Sequence, residues 1–258
     1  MRWEPYPRGR GHTVAGDVRI LRDVESPQLG NSRDLLAYFP PSHGSGRECP
    51  VVYMHDGQNL FDIATSNSGE WRVDETMEEL AADGIEAIMV GIPHAGDERG
   101  LEYAGERAEA YLDFLVDTVR PLVEESFSVD ARREARGLAG SSLGGVISLH
   151  GIYAHPNTFG FAGVFSPAFW WNDDALFDVV ERDDEPDARV YIDVGDSEMN
   201  NGDDTRRVYV DGFERMTALL RRKGLGGGSL RAVLEPGGRH HEDDWARRLP
   251  EALRFLLG

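Results

Sequence analysis

The chain has 258 residues, 40 % of them hydrophobic and 9 % aromatic, with 46 acidic against 27 basic residues and a formal charge of −19. That length and apolar content can fill a packed core and exclude global disorder, and so acidic a chain repels phosphate backbones and anionic lipids, which excludes a general nucleic-acid or membrane-surface binder. Cys49 is the single cysteine, so no intrachain disulfide forms, and neither a signal-peptide-like apolar stretch near the start nor a membrane-spanning run is visible, so a soluble cytoplasmic protein is expected.

Two extended segments open the chain, residues 14–25 and 33–39, the second stopped by Pro40 and Pro41. Residues 50–55 form a short apolar run between turn residues, which reads as a buried strand. Helical periodicity follows over 72–82, a second buried strand over 86–92, and a long helix over 107–127, which Pro121 either kinks or marks near its last turns. Residues 136–140 read as a weak strand and 143–154 as a helix. Strands at 161–165, 190–194 and 230–234 then alternate with helices at 174–182 and 208–223, and a helix over 243–257 closes the chain. Alternation from residue 50 onward implies right-handed crossovers and a mostly parallel central sheet with helices on both faces, the two early strands making an antiparallel N-terminal edge. With no internal repeat and no long linker, residues 1–258 are expected to form one α/β domain.

Gly140, Ser141, Ser142, Leu143 and Gly144 match G-x-S-x-G. Placed between a strand and a helix, the match has the context of a nucleophile elbow: small residues allow a tight turn that lifts the Ser142 hydroxyl to the carboxyl end of the sheet. A serine nucleophile needs a base, and the base needs an orienting carboxylate, in the chain order serine, acid, histidine. His240 and His241 stand where the base belongs, after the last strand, and Asp196 and Glu198 stand in the loop after the 190–194 strand; spacing leaves both choices open. Two backbone N–H groups must face the developing oxyanion. Leu143, following the nucleophile, supplies one, and Gly57 or Gln58, in the loop after the 50–55 strand, supplies the other. His55, at that strand's end, is expected to support the loop.

Four segments together resemble the "Putative esterase" family, which includes esterase D, enterobactin esterases, feruloyl esterases and mycolyltransferases: residues 53–61, the elbow 140–145, the segment 166–171, and the tail 240–245. The resemblance implies the α/β-hydrolase fold. It also implies Glu198 as the acid, three residues after the strand-ending Gly195, with Asp196 as its substitute, and His240 as the base, with His241 where the family usually carries Asn. Some enterobactin-type members work with a Ser-His dyad alone.

The expected activity is hydrolysis of a small-molecule carboxylic ester through an acyl-enzyme, with no metal and no cofactor. The alternatives are an acyltransferase using the same residues and a catalytically silent binding protein of the same fold. Trp170 and Trp171 stack on a sugar or aryl group or pack as lid or core; Trp71 and Tyr103, expected in loops on the same side, are further candidates for substrate contact. Acyl group, alcohol and oligomeric state are left open.

Overall fold

A computed structural model describes residues 2–184, 186–198 and 203–258, with the side chains of 203–206 excepted. Among these, nine strands form one sheet: β1 (Glu4–Pro5), β2 (Asp17–Ser26), β3 (Asn31–Phe39), β4 (Val51–His55), β5 (Ile88–Ile92), β6 (Arg136–Ser141), β7 (Phe161–Phe165), β8 (Arg189–Gly195) and β9 (Leu230–Glu235). Their spatial order is β1-β2-β3-β5-β4-β6-β7-β8-β9. The pairs from β1 to β5 by way of β3 are antiparallel, and every pair from β5 to β9 is parallel. The expected mixed sheet is therefore present, with the two-residue β1 as an unforeseen addition.

The parallel strands read as continuous apolar runs because both faces are covered, and alternate residues serve opposite faces. Val51 and Tyr53 of β4, Ile88 and Val90 of β5, and Val190 and Ile192 of β8 join one core with Leu112, Phe114, Ile147 and Leu149. Val52, Met54, Met89 and Tyr191 join the other with Met77, Leu80, Leu249 and Leu253. Helix α1 (Val73–Ala81) and the C-terminal helix cover the second face.

Three helical details differ from expectation. A short helix, α2 (Arg99–Ala104), lies where only a loop was read. The long helix is α3 (Ala108–Phe114), a π segment Leu115–Val119, and α4 (Arg120–Ser126) in succession. Pro121 breaks the α register here: it has no N–H for the Asp117 carbonyl, and its ring crowds that oxygen. Arg120 Nε donates to the Val116 oxygen at 3.1 Å. Helix α7 (Asp203–Arg222) begins at Asp203 rather than at 208. The remaining helices, α5 (Leu143–Ala154), α6 (Ala175–Arg182) and α8 (Glu242–Leu257), lie where expected. No helix among the described residues is long and apolar enough to cross a membrane.

Candidate active site

The order β5-β4-β6 reverses the direction in which strands are added, and the crevice of an open α/β sheet lies at such a point, beyond the strands' carboxyl ends. Because β4 pairs with β6, the turn after β4 (56–59) emerges beside the elbow after β6. The contact is close: a Cβ on Gly144 would lie 3.3 Å from His55 Cβ. Gly57 packs on the neighbouring strand, where a Cβ would come 2.6 Å from the Gly91 carbonyl carbon, so only glycine fits.

Ser142 holds φ 58°, ψ −123° at the N-cap of α5. Positive φ in a non-glycine residue is strained and persists only where the surroundings enforce it. Here the Ser142 N–H donates to the Phe165 carbonyl of β7 at 2.9 Å, while its own carbonyl accepts from Val146 at 3.2 Å and Ala168 at 3.3 Å. Leu143 opens α5, and the first N–H groups of a helix have no intrahelical acceptor.

The expected acid and base lie on the exits of β8 and β9. These strands pair through Gly195 and Glu235, and their exits touch: a Cβ on Gly195 would fall 2.0 Å from the Gly238 carbonyl oxygen. The His240 N–H donates to the Glu198 carbonyl at 2.9 Å, and His240 Nδ1 lies 2.7 Å from Glu198 Oε2. Glu198 is 2 % exposed. Its other oxygen accepts from the Gly195 N–H at 2.5 Å and the Ser166 hydroxyl at 2.6 Å.

The two open choices thus separate. His241 caps α8, its Nδ1 accepting from the Asp243 N–H at 3.2 Å. Asp196 turns the other way, accepting from the Gly237 N–H at 2.8 Å and the Ser197 hydroxyl at 2.9 Å. Glu198 and His240 are the pair that meet.

Sequence reasoning missed the braces. Ser166 accepts from Trp245 Nε1 and Arg248 Nη2, both at 2.9 Å, while donating to Glu198. Arg248 also ion-pairs with the buried Asp193 at 3.0 Å, whose carboxyl burial pushes up to about 7 against the pull of that arginine. The Tyr209 ring lies 4.8 Å from the His240 ring. Burial raises its phenol to about 12. The same ring meets Trp170 edge-on, with centroids 6.2 Å apart. On the opposite wall, Arg99 of α2 grips Asp56 with two hydrogen bonds, 2.7 and 2.8 Å. Helix α2 is itself tied to β3 by the buried Arg33–Glu102 pair at 2.9 Å. No local motif announces these contacts, and the six residues of α2 are too few to show a helical period.

Ser142 and His240 line one cleft of about 410 Å³, together with Gln58, Asn67, Arg99 and His241. His55 is buried behind it, bonded through Nδ1 to the Tyr111 hydroxyl at 2.8 Å. Burial drives its pKa down to about 3, so it stays neutral and supports the loop. Trp170 and Trp171 are 42 % and 44 % exposed, their rings 5.7 Å apart. Two expectations need correction. Tyr103 is on α2, not in a loop, and is fully buried; its hydroxyl accepts from the Asp56 N–H at 3.2 Å, so it holds the 56–59 turn. Trp71 is in a loop but buried, packed on Phe165 and Trp245.

A strand–serine–helix elbow at the switch point of a mostly parallel sheet, with acid and histidine on the later exit loops, defines the α/β-hydrolase fold. The chain belongs to the "Putative esterase" family, whose model matches residues 26–256. It is 28 % identical to the Bacillus subtilis protein YbbA, itself uncharacterised, over 90 % of this chain and 94 % of that one. It is 34 % identical to the siderophore triacetylfusarinine C esterase of Aspergillus fumigatus over 48 % of this chain and 45 % of that one. Among solved structures, the enterobactin esterase of Shigella flexneri superposes with a TM-score of 0.76 at 19 % identity, over 93 % of this chain and 58 % of that one. An IroE-like serine hydrolase of Shewanella oneidensis superposes at 0.74 and 17 % identity, over 93 % of this chain and 80 % of that one. At such identities these likenesses establish the fold.

Proposed function

We propose that this chain hydrolyses carboxylic esters by a two-step acyl transfer, with Ser142 as nucleophile, His240 as base and Glu198 as the orienting acid. The observation that carries the reading is the His240 Nδ1 to Glu198 Oε2 contact of 2.7 Å, on a histidine that shares its cleft with Ser142. With Nδ1–H donating to the carboxylate, Nε2 is left as the acceptor for the serine proton. Ser142 Oγ bonds to the ester carbonyl carbon as its proton passes to His240. The Leu143 N–H and that of Gln58 or Gly57 stabilise the oxyanion; Gln58 lines the cleft and is the better placed. The C–O bond to the alcohol then breaks, the alcohol leaving with the proton from His240. Water, deprotonated by the same histidine, releases the acid and restores Ser142.

Two relatives act on siderophore esters by name, and a ferulic acid esterase superposes at a TM-score of 0.71 with 18 % identity. Siderophore esters and aryl esters are therefore the first substrates to try, and Trp170 and Trp171 offer the exposed aromatic surface such groups would stack on. The test is a fluorophosphonate probe followed by peptide mass analysis. Labelling at Ser142, lost in His240→Ala, is expected; ester turnover that survives stoichiometric labelling would refute the assignment. Product analysis with a sugar acceptor separates hydrolysis from transfer to an alcohol.

A further inference from the structure

Across the sheet from α5, the loop before α1 and the first turn of α1 gather acids that the esterase reading does not use. Glu70, Asp74 and Glu75 each place a carboxylate oxygen within 4.8 Å of the others. Glu70 and Asp74 are buried, Asp74 completely. The outward oxygens have donors: the Thr13 hydroxyl to Glu70 Oε2 and the Ala15 N–H to Asp74 Oδ2, both at 2.7 Å. One oxygen on each acid is buried with no hydrogen-bond partner: Glu70 Oε1, Asp74 Oδ1 and Glu75 Oε2. The nearby cation, Arg72, is largely exposed and reaches only the other Glu75 oxygen, at 3.8 Å.

Buried carboxylate oxygens without a donor carry a desolvation cost that something positive must offset. We propose that Glu70, Asp74 and Glu75 form a binding site for a hard divalent cation, calcium by its ligand chemistry, separate from the esterase cleft and independent of the esterase assignment. Calcium takes carboxylate oxygens at about 2.3–2.6 Å in adaptable geometry, so oxygens clustered this closely can share one ion. Magnesium requires a tighter octahedron and gives up its water reluctantly. A surface hollow lined by Arg72, Glu75, Thr76 and Glu79 supplies an entry path. A bound cation would join the N-terminal segment at Thr13–Ala15 to α1 and brace the loop before Trp71, whose Asn67 and Ser68 form one wall of the cleft. The competing occupant of the same oxygens is a proton held between Asp74 and Glu75, and experiment separates the two.

The test is calorimetric titration of chelator-stripped protein with calcium chloride in physiological salt, alongside thermal unfolding. One saturable site per chain and a rise in Tm are expected, with calcium bound more tightly than magnesium. Asp74→Asn and Glu75→Gln should each weaken calcium binding by about 100-fold, because affinity follows the number of charged ligands, while Ser142→Ala leaves it unchanged. Glu75 is partly exposed, so its variant still reports if Asp74→Asn fails to fold. Absence of saturable one-to-one binding, tighter binding of magnesium, or calcium binding undiminished in a folded Glu75→Gln protein would overturn the proposal.

Discussion

The parallel half of the sheet, β4 to β9, and the antiparallel edge, β1 to β3, belong to one continuous sheet, yet among the described residues every one that lines the cleft comes from Asp56 onward. Direction accounts for the difference. Parallel strands deliver their exit loops to one edge, so the turns after β4, β6, β8 and β9 converge there, and the exit of β7 adds Ser166 beneath Glu198. Antiparallel neighbours end at alternate edges and cannot gather such a set. The edge acts instead through the core and through Arg33, which anchors α2.

That division of labour can be broken first at the proposed nucleophile. Ser142→Ala should lower kcat/KM by about 10⁴-fold or more with unfolding unchanged. Glu198→Gln keeps the shape but removes the charge and, with the amide oxygen held by the Gly195 N–H and the Ser166 hydroxyl, turns an NH2 toward His240 Nδ1, so a loss of about 10³-fold in kcat is expected from single-turnover kinetics. In the antiparallel edge the reverse pattern should hold. Leu35 is fully buried in β3, and Leu35→Ala should cost about 2–5 kcal/mol in denaturant unfolding, with kcat/KM of the folded fraction unmoved. The comparison sharpens at Ser166, which touches the acid but not the cleft. Ser166→Ala should lower kcat by about 10-fold with KM little changed and shift the acid limb of the pH–rate profile, as expected of a positioning group. A Leu35→Ala protein that is fully folded yet inactive would show that the edge shapes the site after all.

Much of this organisation is legible in residue order. Short apolar runs and helical periodicity locate strands and helices, since burial of a strand on both faces or of a helix on one imposes them locally. Gly57, Ser142 and the late histidine are legible because a tight turn, an elbow and the chain order of the fold each restrict residue type. Tyr103 was misread because a six-residue helix carries too little periodicity to be seen. The π turn before Pro121 was half visible, since proline announces a break but not its form.

By itself, then, the sequence determined the alternating α/β order, the elbow, and a short set of histidines and acids for the site, because these depend on interactions over a few residues. Only the tertiary structure decided between neighbours. His240 meets Glu198 across 42 residues of chain, and Ser166 reaches Trp245 across 79, whereas His241 and Asp196 were claimed by the cap of α8 and the turn at Gly237. Which of two adjacent histidines meets the carboxylate depends on where the backbone is pinned, and here the pins are contacts between distant loops that no local pattern encodes.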